Sequence, residues 1–190
     1  MGTTQSWFLS GDGSLVSSTK RIEAGSQTFV NPADGVPASY SETSGAQSEE
    51  PFNSIPPSDP PGTFAAFTSA PLAADLDSVG IPTLDFSLSA TGSISSLPAT
   101  EVVLFGKIYD VAPDGSVLLV HRLVSPIRIA DPSQPVHVNL PGVVHRYPAG
   151  HRLRLVLAAT DQAYVGSRAP HTITITVDPS TPFRLRLPVL

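Results

Sequence analysis

Strict alternation of apolar and polar residues recurs along this chain, and it constrains the fold more than any other feature. Four segments carry the pattern: TLDFSLSA, HRLRLVL, HTITITV and FRLRLPV. Successive side chains of a β-strand point to opposite faces, so each segment predicts a strand with one buried and one solvated face, as in antiparallel sheets. The residues predicted to point inward are Leu84, Phe86, Leu88, Leu153, Leu155, Leu157, Ile173, Ile175, Val177, Phe183, Leu185 and Leu187.

Two further segments, VVLFGKIYDV and VLLVHRLV, are apolar on both faces for part of their length. They predict central strands covered on two sides, with a neighbouring domain as one expected cover. The 20 prolines and 14 glycines argue against helices, because proline is excluded from helix interiors. Turn signals between the strands predict an all-β fold of about ten antiparallel strands, a jelly-roll β-sandwich. An immunoglobulin-like sandwich is the alternative.

A length of 190 residues predicts a single domain spanning residues 1–190. Residues 31–62 interrupt the strand pattern with a stretch rich in Pro, Ser, Gly and acidic residues. A connection of this length inside a compact domain is usually functional or disordered. We expect it to lie against a partner surface, with disorder as the alternative.

Charge and composition exclude several classes of protein. The net charge of −5 argues against a nucleic-acid partner, and the absence of cysteine excludes disulfides and thiol chemistry. No apolar run approaches the length of about 20 residues that crosses a bilayer, so no membrane partner is expected. The opening MGTTQSWFLSGDG has no basic segment followed by an apolar one, which slightly favours the cytoplasm.

No catalytic motif is recognisable. The serine nucleophile of an α/β-hydrolase lies in a G-x-S-x-G elbow, and this pentapeptide does not occur in the sequence. The five histidines lack the H-x-H and H-E-x-x-H spacings of zinc sites, and no Gly-rich nucleotide loop is present. The sequence therefore predicts no catalytic residue and no cofactor.

Two acidic turns, SGDGS and DVAPDG, raise a calcium hypothesis, because carboxylates and turn carbonyls are the usual calcium ligands. The candidate ligands in the second turn are Asp110 and Asp114. The competing interpretation is a pair of hairpin turns in which glycine supplies a positive φ. We prefer the hairpin interpretation.

Three other side chains are candidates for binding or for an interface. His151 begins a well-patterned strand, and it either contacts a partner or makes a structural hydrogen bond that fixes the preceding turn. Tyr147 and Tyr164 lie at predicted strand ends. They could form a small stacking platform, or they could cap the core.

Four segments, in order, resemble the C-terminal domain of X-prolyl dipeptidyl-peptidases, which cocaine esterase and α-amino-acid ester hydrolases share. They are WFLSGDGSL, FTSAPLAADLDSVGIPTLDFSLSAT, LFGKIYDVAPDGSVLLV and YPAGHRLRLVLAATD. The resemblance implies a jelly roll of the galactose-binding-like type that packs, in cis or in trans, on an α/β-hydrolase catalytic domain. It also implies that the catalytic triad lies in that other domain.

Three functions follow as hypotheses. The first is an accessory domain that shapes access to the active site of a dipeptidyl-peptidase or acyl esterase. The second is a free-standing module that binds carbohydrate or peptide. The third is an independent hydrolase with an unrecognised site. We favour the first, since the resemblance covers nearly the whole chain.

Overall fold

The computed structural model describes residues 2–32, 37–41, 57–92 and 101–190 of the chain. Within these ranges there are fourteen β-strands, one short 3-10 helix (Thr19–Arg21) and no helix long and apolar enough to cross a membrane. The strands are β1 (Thr3–Leu9), β2 (Ser14–Val16), β3 (Gly25–Asn31), β4 (Phe64–Ser69), β5 (Leu76–Gly80), β6 (Thr83–Phe86), β7 (Ser89–Gly92), β8 (Val102–Val111), β9 (Val117–Ile129), β10 (Val136–Asn139), β11 (Val143–Tyr147), β12 (Arg152–Ala158), β13 (His171–Val177) and β14 (Arg184–Val189).

One large sheet contains eleven of these strands. Along it, β10, β6, β14, β1, β2, β4, β12, β8 and β9 are successive neighbours, and β5 with β11 forms a ribbon attached to β14. The sheet nearly closes on itself, because β9 also contacts β10 and β11. A small second sheet has the order β3, β13, β7. The described pairs are antiparallel except for β2 with β4, so the large sheet is mixed.

The all-β, mainly antiparallel prediction is confirmed, and the described strands are more numerous than the ten expected. One reason is that TLDFSLSA, which we predicted as a single strand, is divided between β6 in the large sheet and β7 in the small sheet. Another reason is length: β2 has only three residues, and a two-residue period needs about four to eight residues to be recognised.

The alternating segments form the main hydrophobic core as predicted. Leu155 and Leu157 of β12, Ile173 of β13 and Leu185 of β14 have no exposed surface. The small sheet contributes to the same core through Phe29. Burying each of these side chains stabilises the fold by about 1.5–3 kcal/mol.

Strand β8 is buried on both faces, as its doubly apolar sequence predicts. One face joins the main core through Leu104 and Ile108. The other face forms a second cluster in which Phe105 and Tyr109 pack with Val156 of β12. We expected a separate domain to cover this second face. That expectation was wrong for β8, because its second face is already buried within the single chain.

A β-bulge interrupts the pairing of β8 with β9. The register shifts between Lys107 and Tyr109, and on the β9 side His121 and Arg122 adopt φ values of 51° and 53°. Such values are uncommon for residues other than glycine, and bulges of this kind redirect side chains. At this bulge the His121 ring turns toward β11, where its Nε2 lies 2.9 Å from the carbonyl oxygen of Val144.

Candidate docking surface

A buried ion cluster holds two loops against β8. Lys107, in the middle of β8, places its Nζ 2.7 Å from Oδ1 of Asp59 and 3.0 Å from Oδ2 of Asp161. The Tyr109 hydroxyl donates a hydrogen bond of 2.8 Å to Oδ2 of Asp59. Burial and the negative charge of Asp59 raise the pKa of Tyr109 far above its usual range. The Lys107 side chain is fully buried, so its charge depends on these two carboxylates for compensation.

The segment after β12 is tied to the start of the long connection at residues 31–62. The Ser39 amide donates to Oγ1 of Thr160 at 3.0 Å, and the Ser41 hydroxyl donates to Oδ1 of Asp161 at 2.8 Å. We expected this connection to lie on a partner or to be disordered. Its described residues contact the chain itself, and the others lie outside the described residues.

An exposed apolar surface projects from the loop between β12 and β13. The Tyr164 ring stacks on Phe105 with centroids 5.8 Å apart, and it remains 40% exposed, while Val165 is 87% exposed. A recess of about 390 Å³ lies beside them, with Ala38 and Arg168 among its lining residues. We refer to Ala38, Tyr164, Val165 and Arg168 as the Tyr164 surface.

This loop is fixed by hydrogen bonds at its far end. The Ser167 hydroxyl oxygen accepts from the Val103 amide at 2.9 Å, and the Asn31 side-chain amide contacts the same oxygen at 3.0 Å. The Asn31 amide also donates to the Val103 carbonyl at 3.0 Å. These bonds join the loop to β8 and β3. The Tyr164 surface is therefore presented on a braced backbone.

Tyr147 lies in the core and does not share a platform with Tyr164. Its side chain is fully buried, and its hydroxyl has no protein hydrogen-bond partner. Its ring packs edge-on against the His145 ring, with the two ring centroids 4.5 Å apart. Burial, with the nearby charge of Asp110, raises the pKa of Tyr147 well above its usual range. Of the two proposed roles, these contacts support capping of the core.

His151 and His145 share one buried carboxylate. His151 places Nδ1 2.8 Å from Oδ1 of Asp110, and His145 places Nε2 2.9 Å from Oδ2. Since a carboxylate only accepts hydrogen bonds, each ring carries a proton on the nitrogen that faces Asp110. The backbone amide of His151 also bonds to the Pro148 carbonyl at 3.1 Å. These contacts support the structural role for His151, fixing the turn before β12.

The calcium candidates are engaged in separate networks. Asp110 is held by the two histidines, whereas Oδ1 of Asp114 accepts hydrogen bonds from the amide and hydroxyl of Ser116. Gly115 follows with a φ of 86°, as the hairpin interpretation requires. In the part of the chain that the structure describes, no group of three or more His, Cys, Asp and Glu side chains could hold a metal ion. The geometry favours hairpin turns over calcium.

A second exposed apolar patch lies on the β5–β11 ribbon. Val79 and Val144 are directly opposite each other, and Val144 is 70% exposed. Two residues along, Asp77 and Arg146 form a bidentate ion pair with distances of 2.6 and 2.8 Å. Charges are therefore adjacent to this apolar pair.

A cavity of about 660 Å³ lies beside the described strands. Trp7, Arg21, Asp75 and Arg152 are among the residues that line it. The Trp7 ring is nearly fully buried, and its indole N–H has no protein partner. The ring therefore presents no open face on which a sugar could stack.

Nucleophilic catalysis requires a hydroxyl or thiol activated by a neighbouring base. Among the described residues, no serine hydroxyl is hydrogen-bonded to a histidine ring: His121 contacts a backbone carbonyl, and His137, His145 and His151 contact aspartates. The polar clusters among the described residues thus brace loops, and those residues assemble no triad.

Comparison with known proteins identifies relatives of the whole chain. Residues 2–186 match the family model described as the X-Pro dipeptidyl-peptidase C-terminal non-catalytic domain. A comparison with curated protein sequences gives no significant match.

Similar solved structures include three hydrolases. An α-amino acid ester hydrolase has 19% identity and a TM-score of 0.71. An aminopeptidase from the marine sediment archaeon Thaumarchaeota archaeon has 14% identity and a TM-score of 0.71. A CocE/NonD family hydrolase from Staphylococcus aureus has 13% identity and a TM-score of 0.60. These matches cover 99–100% of this chain but only 36–37% of theirs. The chain thus spans little more than a third of these solved hydrolases.

Proposed function

Since this chain belongs to the family of X-Pro dipeptidyl-peptidase C-terminal non-catalytic domains, we propose that it packs on an α/β-hydrolase catalytic domain and shapes access to its active site. The catalytic domain is joined in cis or bound in trans. The hydrolysed bond is an amide after proline or an acyl ester, and the triad belongs to the catalytic domain.

The main support for this proposal is the share of each solved hydrolase that this chain matches. They contain a counterpart of nearly all of this chain, and the counterpart accounts for only 36–37% of their length. A domain of this kind acts by position: a rigid body beside a cleft restricts which substrates enter and excludes water around bound ones. The braced loops on β8 fit a domain that keeps a fixed surface shape.

We further propose that the fold is a jelly roll of the galactose-binding-like type. Its support is the order of the large sheet, in which neighbours such as β4, β12 and β8 are far apart in sequence yet antiparallel. Such crossovers between antiparallel strands are typical of Greek-key and jelly-roll architectures.

Activity of the isolated chain tests the non-catalytic role. We expect the purified 190 residues to release no product above background from an aryl acetate or from a Gly-Pro arylamide, since none of the described serine hydroxyls is hydrogen-bonded to a histidine ring. The intact natural hydrolase, assayed in parallel, serves as the positive control. Turnover by the chain alone that disappears on replacing one serine would contradict the proposal.

The 660 Å³ cavity favours one second function, a binding module. Arg21 and Arg152 line it together with Asp12 and Asp75, and in the described residues Arg21 forms no ion pair. A peptide that carries charges of both signs therefore fits this lining better than a neutral sugar. Calorimetric titration with peptide and glycan panels tests this function. Binding that is weakened by Arg21→Ala would support it, and absence of binding by either panel would exclude it.

A further inference from the structure

We propose that the Tyr164 surface is the face on which the hydrolase catalytic domain docks. This inference rests on the proposed function and assigns it to one side of the molecule. The occupant is the remainder of the hydrolase, because the solved relatives carry nearly two thirds of their length beyond the counterpart of this chain.

The side chains of this surface have the composition of an interface centre. Fully buried interface cores are enriched in aromatic residues and arginine and depleted of acidic residues. Tyr164 supplies an aromatic ring, Val165 is almost wholly exposed beside it, and Arg168 lines the same recess. The acidic residue in this lining, Asp161, is buried and paired with Lys107. The exposed pair can insert into a hollow on the partner, and the adjacent recess can receive a side chain from the partner.

The surface is also ordered before any partner binds. Stacking on Phe105 restrains the Tyr164 ring, and the Ser167 hydroxyl is held by Val103 and Asn31. Association loses affinity when loops and side chains must be ordered at the interface. Preorganisation reduces that loss, so this loop can act as a docking element.

Hydrogen bonds and the buried ion cluster place residues 37–41, a described part of the long connection, next to the same surface. Asp161 forms an ion pair with Lys107 and accepts a hydrogen bond from the Ser41 hydroxyl, while Ala38, three residues before Ser41, lines the recess. Residues 37–41 and the loop after β12 thus meet at one place.

The competing β5–β11 patch is less suited to docking. Its apolar pair, Val79 and Val144, is followed along the same ribbon by the Asp77–Arg146 ion pair, with Asp75 3.9 Å from that guanidinium. Burying those charges beneath a partner would incur a desolvation penalty. Val144 is therefore a matched control, an exposed valine on a face that we expect to stay solvated.

Hydrogen–deuterium exchange of the natural hydrolase assembly, compared with the isolated chain, tests the assignment. We expect amides of residues 160–168 to be protected in the assembly and amides of β11 to exchange equally in both samples. In the assembly, Val165→Asp should abolish this protection and weaken domain association by about tenfold or more. Val144→Asp should leave both unchanged, and circular dichroism should show that both variants fold.

The outcomes separate the two proposals. Protection of β11 with none at residues 160–168 would overturn the docking face and leave the accessory function standing. The absence of any assembly with a hydrolase would overturn both. Protection at residues 160–168 that survives Val165→Asp would overturn the role of the apolar pair.

Discussion

At the scale of single residues, buried charge determines how the loops are held. Lys107 is fully buried and faces two carboxylates, Asp59 and Asp161, which come from segments about 100 residues apart in sequence. An ion pair of this kind does not by itself increase stability over an apolar core, but removal of one partner leaves uncompensated charge. We therefore expect loss of Lys107 to release both loops together.

Lys107→Met should be strongly destabilising. It removes the only cation in contact with these two buried carboxylates among the described residues, and we expect a loss of about 3–5 kcal/mol in the free energy of unfolding. Urea denaturation followed by fluorescence measures it. Lys20→Met, at an exposed lysine, is the control and should stay within about 0.5 kcal/mol. A loss equal to that of the control would contradict the role of the cluster.

The two buried tyrosines should respond oppositely to removal of the hydroxyl. Tyr109→Phe loses a hydrogen bond to the Asp59 carboxylate and should destabilise by about 1.5–3 kcal/mol. Tyr147→Phe removes a buried hydroxyl without a protein partner and should be neutral or stabilising, because no bond is lost. Thermal and urea unfolding at pH 7 measure both.

The pH dependence of these variants has a definite sign. The pKa values of both tyrosines are raised in the folded state, so folding favours the protonated form. The resulting contribution to the free energy of unfolding is complete below about pH 10. It is lost progressively above pH 10, because tyrosines of the unfolded chain then ionise. Wild-type stability should fall above pH 10, and Tyr147→Phe should reduce the slope. An unchanged slope would contradict the burial of this hydroxyl.

Individual site residues could be predicted only in part. We predicted Tyr164 at a strand end, where it would either form a platform or cap the core, but it lies within the loop between β12 and β13 and is 40% exposed. The position of His151 just before β12 agrees with its predicted place at the start of a strand. The partner of His151 could not be predicted, since Asp110 lies 41 residues away and the β8–β12 pairing brings them together. The exposure of Val165 and the burial of Lys107 could not be predicted, because a lone valine or lysine in a sequence does not reveal whether it is exposed or buried.

At the scale of elements, alternation identified the longer half-buried strands, and turn residues identified the hairpins. Alternation did not predict the bulge at His121 and Arg122, because neither residue type is a turn signal. The positive φ values arise where β9 pairs with β8. Nor did alternation show what covers β8. A doubly apolar strand is equally consistent with cover by its own loops and by another domain.

Glycines in the hairpins are predicted to differ in their tolerance of substitution. Gly11→Ala would place a Cβ 2.2 Å from the backbone nitrogen of Gly25, and we expect a loss above about 3 kcal/mol or failure to fold. Gly115→Ala meets no neighbouring atom and incurs only the strain of its positive φ, about 1 kcal/mol. Thermal unfolding compares them. Equal losses would contradict the close approach of β3 to the β1–β2 turn.

At the scale of the whole molecule, the described polar clusters are directed inward and brace loops, while the exposed apolar groups are concentrated at a few places. This distribution suits a domain that presents a fixed surface to another body and leaves the chemistry to it. The absence of a G-x-S-x-G elbow leads to the same expectation from the sequence. The docking face could not be predicted, because it depends on which loops the fold brings together.

Activity-based labelling of the natural protein tests whether its reactive serine lies outside this chain. An antibody against this chain would isolate it from its source, and a fluorophosphonate probe would label activated serines, located by peptide mass spectrometry. We expect label on a serine outside residues 1–190, on the same polypeptide or on a tightly bound one. Label on a serine within residues 1–190, or isolation of this chain with no labelled polypeptide, would contradict this expectation.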